Sequence, residues 1–333
     1  MTTELAARLR RQAAETSFSG VVSVRKNGLS HCEAFGFRDR PNRAPNTPET
    51  RFGTASMTKG FTAVGIAKLV EQGALDFETP AKSVVGDRLK NLHGDITVKH
   101  LLDHSSGIGD YLDEDEIDDI ERFELAIPPH KLMSPLDYIP LIEAKPQKFE
   151  PGARFCYSNS GYAVLGIIIE LVSVEPYQDF IDNRVFSPVG MARSGFFRSD
   201  GLPENTAMGY LGDGEGWQTN LFKLPIRGAG DGGAFSTAAD MERFWAALVR
   251  GELIGADLVA RLLTPRLPGG QKGQWYGLGF WLNEDGSSAA LIGGDAGVSC
   301  ISLISRSDLT GYTVLSNSTS GAWPIVRLLD AQP

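Results

Sequence analysis

The chain opens on a helical stripe, with Leu5, Leu9 and Ala13 recurring along one face of "MTTELAARLRRQAAETSFSG" and charges between them. That spacing predicts an amphipathic N-terminal helix. The pattern then turns to alternation in "GVVSVRKNGLSHCEAFGFRDR", with Asn27 and Gly28 between two β-prone runs. An Asn-Gly pair in that setting predicts a hairpin, with strands over 20–25 and 29–37. From 56 to 72 the apolar residues Phe61, Val64, Ala67, Leu69 and Val70 follow helical spacing, and Gly73 supplies the C-cap. This helix carries enough apolar residues to be buried. Between 80 and 200 helical patterns over 97–104, 134–143, 159–173 and 176–184 are broken by Pro and Gly. Strand-like runs return over 275–282, 288–294, 298–305 and 311–317.

A hairpin at the start, several strands at the end and helices between them predict an α+β fold. One antiparallel sheet is assembled from both chain termini and flanked by helices. On this reading residues 1–79 and 201–333 form an α/β sandwich domain, residues 80–200 form an inserted, mostly helical domain, and the active site lies in the cleft between them. The length of 333 residues agrees with about two domains. The longest apolar stretch, residues 162–174, is interrupted by Glu170 and too short to span a bilayer.

Charge removes further options. The net charge is −9, and no basic stripe or aromatic-interleaved basic run occurs, so nucleic acid is not expected as a partner. The N-terminal stretch lacks the apolar run of a secretory signal, from which a cytoplasmic location is expected. Residues 110–121, "DYLDEDEIDDIE", carry eight acids and no base and read as a solvated surface segment. Three widely spaced cysteines, Cys32, Cys156 and Cys300, form neither a disulfide framework nor a zinc motif and read as small buried residues. His100 and His104 share metal-ligand spacing but lack a third ligand, so no metal is assigned.

Three stretches remain for chemistry. In "FGTASMTKGFT" (52–62) Ser56 stands at a helix start with Lys59 one turn on. Ser56 reads either as a helix cap or as a nucleophile whose proton Lys59 removes, provided burial lowers the lysine pKa. In "FEPGARFCYSNSGYAVLG" (149–166) Tyr157 and Asn159 precede a helix. Tyr157 can relay a proton, with Lys59 lowering its pKa, and Asn159 can hold Lys59 and a substrate carbonyl; packing and capping are the plainer alternatives. In "IGGDAGVS" (292–299) Gly293 and Gly294 mark either a tight turn or a backbone that a substrate approaches closely.

With these stretches in this order, the sequence resembles the serine β-lactamase and penicillin-binding-protein superfamily, in the branch of class C β-lactamases, D-stereospecific peptidases and β-lactamase-like esterases. Supporting matches include "TVKHLLDHSSGI" (97–108), "VFSPVGM" (185–191) and "GGAFSTAADMERF" (232–244). The resemblance implies Ser56 as acylated nucleophile, Lys59 as general base, Tyr157 as proton relay and Asn159 as support for lysine and substrate. It implies no metal or organic cofactor, and it makes His104, Ser105 and Ser106 scaffold. The third motif departs from the family pattern: where a Lys or His is usual, this chain has Leu291 or Ile292 in "LIGGDAG". Without that cation the site lacks an anchor for a substrate carboxylate, although Arg227 offers a charge from elsewhere. The expectation is therefore a carboxylesterase acting on small uncharged esters, with Gly294 or Asp295 giving the second oxyanion amide. D-amino-acid peptidase or amidase, weak β-lactamase, and a penicillin-binding receptor acylated without turnover are the alternatives. The partner expected is a small-molecule ester or amide, and the oligomeric state is left open.

Overall fold

The computed structural model describes residues 3–212 and 216–331. Its frame is an eight-stranded antiparallel sheet. The N-terminal hairpin gives β1 (Gly20–Lys26) and β2 (Leu29–Phe35), turning at Asn27 and Gly28, both with positive φ. The C-terminal part gives β3 (Leu267–Pro268), β4 (Gln274–Tyr276), β5 (Trp281–Asn283), β6 (Ser288–Asp295), β7 (Val298–Ser305) and β8 (Gly311–Ser316). Their spatial order is β2-β1-β8-β7-β6-β5-β4-β3. The first strand of the chain therefore pairs with the last, with Val22 opposite Val314.

Alternation along the strands sorts side chains to two faces. Val22, Ile301 and Val314 pack with α1 (Thr3–Glu15) and the C-terminal helix 322–330, and Ile292 packs against that cluster. Their neighbours Val21, Cys300, Leu315 and Leu291 face the opposite way, into the main core. That core runs without a break through α2 (Thr58–Glu71) into α3 (Asn159–Ser173). The apolar run 162–169 of α3, buried throughout, fits this central position, because a helix segment covered on all sides needs no polar face.

The run expected as one strand over 275–282 is two strands, β4 and β5, joined by a reversal at Gly277–Phe280. Gly279 has φ +97°, and a Cβ there would lie 2.3 Å from the Cβ of Ala63 on α2. The continuous apolar pattern conceals that turn because its residues remain buried. The helices expected over 97–104 and 134–143 are shorter, at Val98–Leu102 and Ile139–Glu143, the latter preceded by a 3₁₀ turn, Pro135–Tyr138. Between 81 and 200, helices are joined by long irregular segments, and residues 103–128 carry neither helix nor strand. None of the described helices is long and apolar enough to cross a membrane.

Candidate active site

Residues 52–59 bring a short strand into α2 through a sharp turn. Phe52–Gly53 pairs with Phe235–Ser236, Ala55 sits at φ +42°, and Ala55–Met57 forms one 3₁₀ turn before α2 begins. A left-handed alanine is strained. Its surroundings hold it there: the Thr54 amide and hydroxyl both donate to the Ala234 carbonyl at 2.8 Å, and the Thr58 hydroxyl donates to the Ala55 carbonyl at 2.7 Å. Ser56 therefore lies inside the turn rather than at the cap: Thr54 occupies the N-cap of the 3₁₀ turn and Met57 that of α2, and neither makes a side-chain capping bond. The Ser56 hydroxyl is left for other partners.

Lys59, one turn later and 1% exposed, is the first of them. Its Nζ donates to Ser56 Oγ at 2.9 Å, to Asn159 Oδ1 at 2.8 Å and to the Asp231 backbone carbonyl at 2.7 Å. Burial depresses the lysine pKa, while the carboxylates of Asp231, Glu114, Asp110 and Asp295 oppose the shift. Three acceptors satisfy an ammonium. With two protons the same amine still serves Asn159 and Asp231 and turns its lone pair to Ser56.

The segment leading into α3 supplies the opposite wall. Ser158 caps α3, its hydroxyl accepting from the Gly161 amide, and buried Asp110 accepts from the amides of Asn159 at 2.7 Å and Ser160 at 2.9 Å. A carboxylate at a helix N-terminus suits the free amides there. Burial nonetheless raises the Asp110 pKa to about 6. Asn159 Nδ2 also donates to the Leu112 carbonyl at 2.8 Å, which fixes its Oδ1 on Lys59. Tyr157 packs beside Lys59, whose Nζ lies 4.9 Å from its ring centroid, with His104 4.3 Å away between ring centroids and Trp281 stacked parallel to it. Its pKa is pushed well above the ordinary tyrosine value, by burial first and then by Glu114. This differs from the expectation that Lys59 lowers it, because desolvation of a phenolate outweighs the nearby cation. The phenol stays protonated.

His104 was legible only as scaffold, and its geometry explains why. Its ring is fully buried, with φ +59°, and Nδ1 accepts from the Ser158 amide at 3.0 Å. Burial holds its pKa far down. A neutral imidazole thus orients the backbone between Tyr157 and Asn159.

The third stretch is the end of β6. Gly293 faces the nucleophile turn: a Cβ there would fall 2.4 Å from the Thr54 carbonyl and 3.2 Å from the Ala55 Cβ. Glycine is required at that approach. Gly294 and Asp295 line the cavity beside Ser56. Burial raises the Asp295 pKa to about 7, with Glu114 and Asp231 adding to it. Leu291 lies on the same face as Gly293, since a Cβ on Gly60 of α2 would meet its Cδ2 at 2.5 Å. Ile292 points to the other side of the sheet. The apolar residue at the usual cation position is thereby Leu291, and it is 2% exposed.

Arg227 does not supply the missing charge. Its Nε donates to the Phe196 carbonyl at 3.1 Å, its guanidinium approaches Asp179 at 3.9 Å, and it does not line the cavity. Sequence reasoning missed Asp231, 6% exposed, whose carboxylate accepts from the Tyr111 hydroxyl while Oδ1 has no partner. Its pKa is raised by burial, with Lys59 opposing. It also missed Lys223, which lines the cavity with Glu114, Asp231 and Asp295. The Gly-rich setting of "GAGDGG" was the one available signal for Asp231. Among the described residues no cluster of His, Cys, Asp and Glu has the arrangement of a metal site.

Comparison with known proteins bears on this geometry. A family model described as Beta-lactamase matches residues 5–330. The chain is 30% identical over 311 residues to PbpX of Bacillus subtilis, a protein named for penicillin binding, covering 92% of this chain and 73% of that one. The crystal structure of a penicillin binding protein from Bacillus halodurans superposes with a TM-score of 0.90 at 37% identity, covering 97% of this chain and 99% of that one. The D-amino acid amidase of Ochrobactrum anthropi shares the fold, with a TM-score of 0.81 at 24% identity, covering 99% of this chain and 98% of the other.

Proposed function

The chain belongs to the beta-lactamase family of serine hydrolases, and from that premise we propose that Ser56 forms a covalent acyl-enzyme and that the preferred substrates are small uncharged esters. The observation that carries this reading is Lys59 Nζ, buried and 2.9 Å from Ser56 Oγ. Neutral Lys59 takes the hydroxyl proton as Ser56 Oγ bonds to the carbonyl carbon. The carbonyl oxygen becomes an oxyanion at the Ser56 amide and at an amide of Gly294 or Asp295. As the tetrahedral intermediate collapses, the bond to the alcohol breaks and the Tyr157 phenol protonates the leaving alkoxide. The proton that Lys59 holds then passes to the Tyr157 phenolate beside it, which restores both groups before deacylation. Deacylation repeats the steps with water as nucleophile and Ser56 as leaving group. Asn159 holds Lys59 in place throughout.

The ester preference follows from charge. Leu291 offers no cation, and the cavity presents Glu114, Asp231 and Asp295 against one lysine, Lys223. A carboxylate beside the scissile bond, as in β-lactams, meets repulsion there. The same three acids favour a second reading, amides bearing a free amine such as D-amino-acid amides, whose ammonium the acidic lining would attract. A panel of a short-chain p-nitrophenyl ester, D-amino-acid amides and a chromogenic cephalosporin separates them. The ester is expected to show the highest kcat/KM, and faster turnover of the cephalosporin would contradict the reading. One equivalent of product without a steady state would instead favour an acylated receptor.

The depressed lysine also sets a pH dependence. Only the amine accepts a proton, so kcat/KM rises with pH through the Lys59 pKa, below 10.5. Asp231 raises that pKa. In Asp231→Asn the rising limb of the kcat/KM profile is therefore expected at lower pH than in the wild type, and an unmoved or alkaline-shifted limb would refute the coupling.

A further inference from the structure

The acidic segment is not simply a solvated surface. Its acids Glu114, Asp115, Glu116, Asp118 and Asp119 are outside or at the rim, but Leu112, Ile117, Ile120, Phe123 and Leu125 turn inward and line the cavity that begins at Ser56. The segment is held at both ends. At one end Asp113 pairs with Lys148 and the Leu112 carbonyl accepts from Asn159 Nδ2. At the other, Glu121 accepts from the Thr319 hydroxyl and, at 3.2 Å, from the Gly212 amide. Thr319 follows β8, so the segment crosses from the α3 side of the cavity to the sheet side. The wall it faces includes Leu221, Phe235, Val298 and Trp323, and the cavity holds about 460 Å³.

A strap with no regular backbone pairing of its own needs a reason to keep isoleucines at 117 and 120 under a run of carboxylates. Solvation alone would be served by polar residues. A concave, largely apolar space of this size, with a few polar groups at one end, is what binds the apolar body of a small ligand. We propose that residues 112–125 form the roof of a substrate subsite and select esters or amides whose group beside the scissile carbonyl is a large apolar one, of medium-chain alkyl or aryl-alkyl type. Ile117 and Ile120 are the specificity-determining residues, and the carboxylates above them keep the roof soluble and repel anionic substrates. This rests on Ser56 being the acylated residue.

The test is kcat/KM along two series: p-nitrophenyl esters from acetate to octanoate, and acetate esters of alcohols from ethanol to octanol. Each methylene that enters an apolar site is worth about 4-fold at most. An overall rise of at least about 10-fold is expected in one series, and which one rises assigns the subsite to the acyl or the alcohol side. In the Ile117→Ser/Ile120→Ser double variant the octanoate-to-acetate (or octyl-to-ethyl) ratio is expected to fall at least about 10-fold. A ratio taken within one preparation is unaffected by any inactive fraction. Flat series, or a ratio unchanged in the variant, would overturn the subsite while turnover itself leaves the Ser56 reading standing. Absence of turnover on every ester would instead strike at the Ser56 reading.

Discussion

Ser56→Ala is expected to lower ester turnover by about 10⁴-fold or more while the protein stays folded, as judged by an unchanged circular dichroism spectrum and a near-native Tm. The size follows from removing the atom that carries the acyl group, an effect comparable to losing a catalytic nucleophile in other hydrolases. The fold is spared because the turn that holds Ser56 is fixed by Thr54, Thr58 and Ala234 rather than by the serine side chain. Lys59 loses one of three acceptors and retains Asn159 and the Asp231 carbonyl. Steady-state turnover within 10-fold of wild type would exclude Ser56 as nucleophile.

Lys59→Met is expected to be nearly as severe for kcat and, unlike Ser56→Ala, to cost stability. Methionine fills much of the same buried volume without an amine, so the serine loses its base. The change also leaves Asn159 Oδ1 and the Asp231 carbonyl unpaired inside the protein, and a buried acceptor without a donor costs about 1–3 kcal/mol. Relief of the buried charge offsets part of that. Chemical denaturation combined with kcat on one ester checks both halves: a Lys59→Met enzyme that is both stable and fast would mean that the lysine is structural padding.

Much of the frame was legible because its signals are local. Asn27 and Gly28 mark the hairpin, and residues 159–173 form the helix their apolar pattern predicts. Ser56, Lys59, Tyr157 and Asn159 were found through short-range spacing and the family resemblance, and the structure brings these four together. What escaped was made by contacts remote in sequence. The Lys59–Asp231 contact spans 172 residues. The positive φ at Ala55 depends on Ala234 and Thr58 and leaves no mark in "GTASM". The reversal inside 275–282 was concealed by buried glycines, and the inward isoleucines of the acidic segment by the charges around them. The ambiguity between Leu291 and Ile292 needed only the strand's facing, which alternation alone does not supply until one neighbour is placed.

The covalent state is the most direct test of the account. The native enzyme, incubated with a fluorophosphonate ester and digested for peptide mass mapping, is expected to carry one adduct, on Ser56. Labelling is expected to be absent in Ser56→Ala and strongly slowed in Lys59→Met. Full inactivation with the label on any other residue, or ester turnover that persists without any label on Ser56, would contradict it.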